Sequence, residues 1–268
     1  MDLHLKGKKA LVTGSTAGIG LAIAVALTDE GATVVVNGRT QGRVNHAMQA
    51  VRKTCRQHHH TPHVSGVAAD LSTSHGADEV YRQLPEADIL VHNLGIYQPK
   101  PFDKISDVEW LKFFKVNVLS AVRLTRHYLP GMLKRNWGRI VFISSESGVQ
   151  IPAEMIHYGM TKTAQLAVAR GLAETTAGTG VTVNSVLPGP TRSEGVDHFV
   201  SHMARAGGKS EQDVEAEFFE TVRPTSLLRR FATPEEVANM VTYVCSPLSS
   251  ATNGAALRVD GGVVRSIL

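Results

Sequence analysis

Tyr158 and Lys162 are four residues apart and could together carry out proton transfer. In a helix this spacing puts both side chains on one face. A free tyrosine has a pKa of about 10, so a phenolate usable near pH 7 needs roughly 4 kcal/mol of stabilisation. One ammonium about 4 Å away, at an effective dielectric constant of about 20, supplies on the order of that energy. The pair is therefore a candidate acid–base centre.

A glycine-rich segment near the start of the chain could hold a phosphate-bearing ligand. Residues 13–20 read TGSTAGIG and lie between an apolar run and a helical pattern. Glycines let the backbone approach a pyrophosphate, whose charge is favoured by the free N–H groups at a helix N-terminus. A tight turn without a ligand is the alternative. We predict that a dinucleotide contacts Gly14, Ser15, Thr16, Gly18, Ile19 and Gly20.

The end of the second predicted strand bears on the choice of dinucleotide. An acidic residue there accepts the ribose 2′-OH of NAD, whereas an arginine accommodates the 2′-phosphate of NADP. The segment reads Val36-Asn-Gly-Arg-Thr40, without a carboxylate. Arg39 therefore favours NADP, with NAD as the alternative cofactor and a solvated surface arginine as the alternative role.

These residues need a scaffold, and the chain alternates short β-branched runs with helix-length segments. Because most runs are apolar at every position, they predict a doubly wound α/β fold with a parallel sheet covered on both faces. Capping boxes at Ser106 and Thr233 predict helix starts, the second with Pro234 at its first position. Seven strands are expected, at 10–13, 33–36, 64–68, 88–92, 139–143, 181–186 and 256–259.

The two motifs together resemble the short-chain dehydrogenase/reductase family over nearly the whole chain. They are Gly14-x-x-x-Gly18-Ile-Gly20 and Tyr158-x-x-x-Lys162. The resemblance implies a single Rossmann-fold domain over residues 1–268. It also implies a catalytic tetrad in which Ser145, 13 residues before Tyr158, holds the substrate oxygen and Asn117 carries a proton-relaying water.

The same resemblance implies further cofactor contacts after the third, fourth and sixth strands. The family usually reads Asn-Asn-Ala-Gly after the fourth strand, whereas this chain has Leu94 at the alanine position. Ala17 stands where many NADP-dependent members carry a basic residue, which weakens the preference for NADP. The implied contacts are Asp70, Leu71, Asn93, Gly95, Pro188, Gly189 and Thr191, together with Tyr158 and Lys162.

The implied activity is interconversion of a ketone and a secondary alcohol. We expect an NADPH-dependent carbonyl or 3-oxoacyl reductase, in which Lys162 lowers the pKa of Tyr158 and grips the nicotinamide ribose. An NAD-dependent alcohol dehydrogenase of the same family and a non-enzymatic dinucleotide-binding regulator are the alternatives. The resemblance also implies a homo-oligomer, a tetramer or dimer, formed through the long helices of residues 106–135 and 157–178.

Composition excludes several other protein classes. The chain has 268 residues, 43% of them hydrophobic and 19% charged, which excludes disorder, collagen and a disulfide scaffold. The formal charge of +4 comes from scattered cations, so no nucleic-acid partner is expected. Cys55 and Cys245 lack metal or redox spacing, which predicts buried, reduced thiols and a cytoplasmic location. No apolar run is long enough to span a membrane.

The sequence alone leaves alternative roles for several segments and side chains. Residues 192–228 are long and partly polar, and we expect a mobile lobe that selects the substrate. Phe199, Phe218 and Phe219 either line its pocket or pack its helices. Glu146 and His157 flank the serine and tyrosine, but neighbouring side chains should point elsewhere. His58 to His60, with His63, are interpreted as a solvated loop, so no metal is expected.

Overall fold

Seven parallel strands form one sheet in the part of the chain that the computed structural model describes, residues 2–57 and 61–267. Their spatial order is β3-β2-β1-β4-β5-β6-β7. The order changes direction between β1 and β4, and open α/β sheets bind ligands at the carboxyl ends beside such a point. The strands are β1 (Lys9–Val12), β2 (Thr33–Gly38), β3 (His63–Ala68), β4 (Ile89–His92), β5 (Gly138–Ile143), β6 (Val181–Pro188) and β7 (Ala256–Val259).

Helices cover both faces of this sheet. The first, second and ninth pack on one face around Ile23, Val51 and Val241, and the third, fifth and sixth pack on the other around Leu124 and Ala169. This is the doubly wound, Rossmann-type architecture that the alternation of strands and helices predicted. The helices are α1 (Gly18–Asp29), α2 (Gln41–Gln57), α3 (Ser74–Gln83), α4 (Asp107–Phe114), α5 (Ser120–Lys134), α6 (Ile156–Thr175), α7 (Glu194–Gly207), α8 (Glu211–Thr221) and α9 (Pro234–Cys245).

Helix starts were predicted more accurately than helix continuity. Both capping boxes are present, at Ser106 with Glu109 and at Thr233 with Glu236. The helix expected over residues 106–135 is not continuous, because a π-helical turn at Lys115–Leu119 separates α4 from α5. The helix expected over 157–178 runs from Ile156 to Thr175.

Residues 192–228 form a small lobe built on α7 and α8. Gly208 ends α7 with a left-handed backbone, φ 61°, which glycine adopts without strain. Phe218, Phe219 and Phe231 pack together with ring centroids 5.0–5.1 Å apart. Phe219 therefore packs the lobe, whereas Phe218 also borders the cavity described below. The side chain of Phe199 lies outside the described residues.

The cysteines and the histidine-rich segment were also interpreted from the sequence. Both cysteines are buried free thiols, as predicted. His58 to His60 lie outside the described residues, and within the described ranges no group of His, Cys, Asp and Glu could hold a metal ion. Among the helices described, none is long and apolar enough to cross a membrane.

Candidate active site

The glycine loop between β1 and α1 is shaped to hold an anion. Gly14 and Gly18 have positive φ angles of 60° and 54°. A Cβ on Gly20 would lie 2.4 Å from the side-chain nitrogen of Asn93, so only glycine fits there. No side chain caps the start of α1, where Ala17 is the N-cap residue. The first amides of the helix are thus available to a pyrophosphate, and the loop fits a dinucleotide.

Two asparagines hold this loop in position. Asn93 donates from Nδ2 to the carbonyl oxygens of Thr13 and Gly14, at 3.1 and 3.0 Å. Asn37 donates from Nδ2 to two carbonyl oxygens beside β3, and its backbone N–H donates to Ser15 Oγ at 2.9 Å. Asn37 was not predicted to have a role, although one amide in an otherwise apolar strand was a signal. The predicted β1 residue Thr13 lies past the strand, where its hydroxyl accepts from the amides of Asn93 and Leu94.

The residues expected at the adenosine end follow β2 and β3. Arg39 is exposed and makes no hydrogen bond or ion pair with the described chain. Asp70 is exposed and accepts the amide of Ser72 at 3.0 Å, whereas Leu71 is buried in the core. Gly38 has no room for a side chain, because a Cβ there would lie 2.3 Å from Thr16. None of Arg39, Asp70 and Leu71 borders the cavity described below.

Ser145, Tyr158 and Lys162 meet at the carboxyl end of β5. Ser144 and Ser145 directly follow the strand, and the other two side chains come from the first turns of α6. Ser144 Oγ donates to the backbone oxygen of Lys162 at 2.9 Å, which fastens α6 to the strand end. Lys162 Nζ donates to the Ile143 carbonyl at 2.8 Å and lies 5.6 Å from the Tyr158 ring centroid.

Burial dominates the electrostatics of this group. It raises the pKa of Tyr158, and a hydrogen bond with Ser145 opposes that rise. Burial lowers the pKa of Lys162 to about 8, against the effect of the Glu146 carboxylate. An ammonium this near the ring favours the phenolate, in opposition to burial.

Asn117 lies in the π-helical turn, behind the cavity wall. Its side chain exchanges hydrogen bonds with the backbone of Ile96 and donates to Thr161 Oγ1. Its backbone oxygen accepts Gln165 Nε2 at 2.6 Å, and Gln165 Oε1 accepts from Lys162 Nζ at 3.3 Å. Gln165, which was not predicted as a site residue, therefore connects Asn117 to Lys162. Its spacing of three residues from Lys162 was the available signal.

One cavity of about 770 Å³ brings most of the predicted residues together. The glycine loop and the turn after β6 border one part, and the serine, tyrosine and lysine border another. Gly95 lies over Lys162, since a Cβ there would be 3.4 Å from Nζ. The predicted residues among its lining are Gly18, Ile19, Gly20, Asn93, Gly95, Ser145, Tyr158, Lys162, Pro188, Gly189 and Thr191. Gly14, Ser15 and Thr16 lie in the loop behind it.

Comparison with known proteins assigns the family. A family model described as enoyl-(acyl carrier protein) reductase matches residues 14–264. An uncharacterized oxidoreductase, YvaG of Bacillus subtilis, is 48% identical over the full length of both chains, and the 3-oxoacyl-[acyl-carrier-protein] reductase FabG of Aquifex aeolicus is 33% identical over 98% of this chain and 100% of its own. The chain belongs to the short-chain dehydrogenase/reductase family. It is therefore an oxidoreductase that acts on CH–OH and C=O groups with NAD(P).

The fold of this dehydrogenase/reductase also matches solved structures. L-sorbose reductase from Gluconobacter frateurii, solved with NADPH and L-sorbose, superposes with a TM-score of 0.92 at 30% identity and covers 100% of both chains. The agreement extends over the whole sheet and the helices, so the predicted fold class is confirmed.

The residues beside Ser145 and Tyr158 differ from expectation in one case. Glu146 was expected to point away from the serine, and this prediction is wrong. A 3₁₀ turn at Glu146–Gly148 folds its carboxylate back, so that Oε2 accepts Ser145 Oγ at 2.5 Å. Its other oxygen accepts Arg223 Nε at 3.0 Å. His157 points elsewhere and packs against the ring of Phe113, with centroids 4.1 Å apart.

Proposed function

We propose that this protein is an NADPH-dependent reductase that converts a ketone into a secondary alcohol. The observation that carries the proposal is the meeting of Ser145, Tyr158 and Lys162 in one cavity with the glycine loop. The proposed cofactor contacts are the residues predicted from the sequence in that loop and after β2, β3, β4 and β6. A regulator without activity would have no need for a tyrosine and a lysine buried side by side.

In the proposed reaction, the bound cofactor supplies the hydride that reaches the carbonyl carbon. Tyr158 gives its phenolic proton to the substrate oxygen, because burial keeps its hydroxyl protonated and it borders the cavity beside Ser145. Ser145 holds that oxygen after its hydroxyl turns from Glu146 towards the substrate. Lys162 stabilises the phenolate left behind, and Asn117 with Gln165 positions the ammonium.

Tyr158→Phe tests this assignment. The variant should lose turnover by a factor of about 10² or more, since general acid catalysis contributes about that much. Calorimetric titration should show nearly unchanged NADPH binding, because the ring remains. A fully active variant would refute the role of Tyr158.

NADP is proposed as the cofactor because Arg39 is exposed at the end of β2 without a partner in the described chain. The NADPH in the L-sorbose reductase structure supports the same choice. Arg39→Gln should weaken NADPH binding about 10- to 100-fold, as loss of a hydrogen bond to a charged group does, and leave NADH binding unchanged. Arg82→Gln, which removes an exposed arginine paired with Glu79 on α3 and outside the cavity lining, is the matched control. Tighter binding of NADH than of NADPH would contradict the proposal.

Reduction of a 3-oxoacyl thioester is a second candidate, favoured by the 33% identity to a 3-oxoacyl reductase.

We further propose a homo-oligomer, a tetramer or dimer. Val108 and Leu111 on α4 are 74% and 58% exposed, which suits a covered surface. Light scattering during size-exclusion chromatography tests this, and a monomer would contradict it. Two buried free thiols support a cytoplasmic location.

A further inference from the structure

One arginine of the lobe, Arg223, borders the same cavity as Ser145 and Tyr158. Arg223 lies just after α8, and its side chain is only 12% exposed. Nε donates to Glu146 Oε1 at 3.0 Å, and Nη1 donates to the Val222 carbonyl at 2.9 Å and to Glu154 Oε1 at 3.4 Å. Because Glu146 also accepts the hydroxyl of Ser145, the lobe is connected through two hydrogen bonds to the serine at the reacting centre.

In the cluster formed by Arg223, Glu146 and Glu154, one nitrogen and one oxygen are available to a ligand. Arg223 Nη2 makes no hydrogen bond with the described chain, although the side chain borders the cavity. Glu146 is fully used, since Oε2 also accepts the amide and hydroxyl of Ser147. Glu154, with a side chain 47% exposed, has no partner within the described chain for its second oxygen. The cavity wall therefore offers one cationic donor and one anionic acceptor side by side.

Charge and geometry restrict what this wall can bind. Two carboxylates share one guanidinium, so these three side chains together carry a net negative charge and do not favour an anionic group placed directly beside them. An arginine binds a carboxylate best through two parallel N–H groups. Both Nε and Nη1 of Arg223 are already occupied, which leaves a single nitrogen. A hydroxyl group needs only one donor or one acceptor and fits both Arg223 and Glu154.

We propose that Arg223 and Glu154 bind hydroxyl groups of a neutral polyhydroxy ketone, a keto sugar that is reduced to its polyol. The proposal rests on the proposed function and specifies its substrate class. In the reaction, hydride adds to the ketone carbon and the C=O bond becomes a C–O single bond. The oxygen takes the proton of Tyr158, and NADPH leaves as NADP⁺. The hydroxyls next to the ketone are held by the cluster while Ser145 and Tyr158 act on the oxygen.

Steady-state kinetics with NADPH test the substrate class. The probes are the ketoses D-fructose and D-xylulose, the anion acetoacetate, acetoacetyl-CoA, and 2,3-butanedione as a neutral ketone without hydroxyls. We expect kcat/KM for at least one ketose to exceed the values for acetoacetate and acetoacetyl-CoA by 10-fold or more. A preference for either of those two, with butanedione still reduced, overturns this inference and leaves the proposed reductase intact. No reduction of any probe overturns the proposed function itself.

Two variants separate recognition from folding. Arg223→Lys keeps the charge opposite Glu146 but removes the free guanidinium donor, so kcat/KM for the ketose should fall about 10- to 100-fold relative to butanedione. Arg229→Lys is the matched control, because Arg229 donates to the Phe219 carbonyl within the lobe, and its effect should be equal on both probes.

The second variant, Glu154→Gln, leaves the buried pair of Arg223 with Glu146 in place. It should raise KM for the ketose and lower KM for acetoacetate, because an acceptor is weakened and a repelling charge is lost. A purely structural role for the cluster predicts changes in the same direction for all probes, and that result would overturn the proposal.

Discussion

Replacing Gln165 with leucine should move the pH range over which the enzyme works. Gln165 is fully buried, and leucine of similar size removes its hydrogen bonds to Lys162 and Asn117. The Lys162 ammonium keeps the Ile143 carbonyl but loses an acceptor 3.3 Å away. Hydrogen bonds to charged groups contribute about 1.5–3 kcal/mol, and the long contact suggests the lower end. The protonation equilibrium of Lys162 should then shift about 10-fold towards the neutral amine.

Burial lowers the pKa of Lys162 to about 8, so the wild-type ammonium is mostly protonated at pH 7. A 10-fold shift leaves only about half of it charged at that pH. The assay is the pH dependence of kcat/KM for NADPH at saturating ketone, since this ratio reports groups of the free enzyme. The alkaline decrease should move about one pH unit lower in Gln165→Leu.

Two further variants make this prediction specific. Gln165→Glu places a carboxylate beside the ammonium and should move the alkaline decrease to higher pH. Thr161→Val removes the contact to the Asn117 side chain at 2.9 Å without touching Lys162, so it should lower stability and leave the profile in place. An unchanged profile in Gln165→Leu, or shifts of the same sign in both Gln165 variants, would refute the reasoning.

Three other predictions follow from local geometry. Gly20→Ala should destabilise the protein by about 1–3 kcal/mol and weaken NADPH binding, since its Cβ would lie 2.4 Å from Asn93 Nδ2. Urea unfolding and calorimetric titration measure the two effects. The control Gly171→Ala, with open space around the new Cβ, should be neutral or stabilising. Between about pH 8 and 10.5, the free energy of unfolding of the wild-type protein should rise by about 2–3 kcal/mol relative to that of Lys162→Met. Burial lowers the pKa of Lys162 to about 8 from a usual value of 10.5, so the unfolded chain binds one more proton than the folded chain in this pH range. Equal pH dependence in urea titrations of both proteins would contradict this prediction. Thr233→Ala should lower stability by about 1 kcal/mol through loss of the α9 cap, measured by thermal unfolding.

Short sequence motifs predicted the ends of helices well where a single local interaction determines them. The capping boxes at Ser106 and Thr233 were found because a helix start depends on residues three apart. The strand ends were less accurate, as at Thr13, whose hydroxyl bonds to the segment after β4 instead of continuing β1. The π-helical turn at Asn117 had no local signal that we used, because its carbonyl partner, Gln165, comes from another helix.

The site residues also fall into two groups, those that local spacing could predict and those that only packing brings together. Tyr158 with Lys162, and the glycines of the first loop, could be assigned from the sequence because each set depends on fixed spacing within one element. Glu146 was misjudged, since its direction depends on a 3₁₀ turn and on Arg223, 77 residues further along the chain. No spacing rule relates residues that meet only when the lobe packs against the sheet.

The sequence by itself determined the fold class, the family resemblance and the residues that could hold a dinucleotide and transfer a proton. It did so because helix and strand periods, caps and glycine turns are properties of neighbouring residues. Only the tertiary structure decided that Gln165 connects Asn117 to Lys162 and that Glu146 joins Ser145 to Arg223. Those contacts depend on how β5, α6 and the lobe pack together, and burial in that packing also sets the charge states of Tyr158 and Lys162.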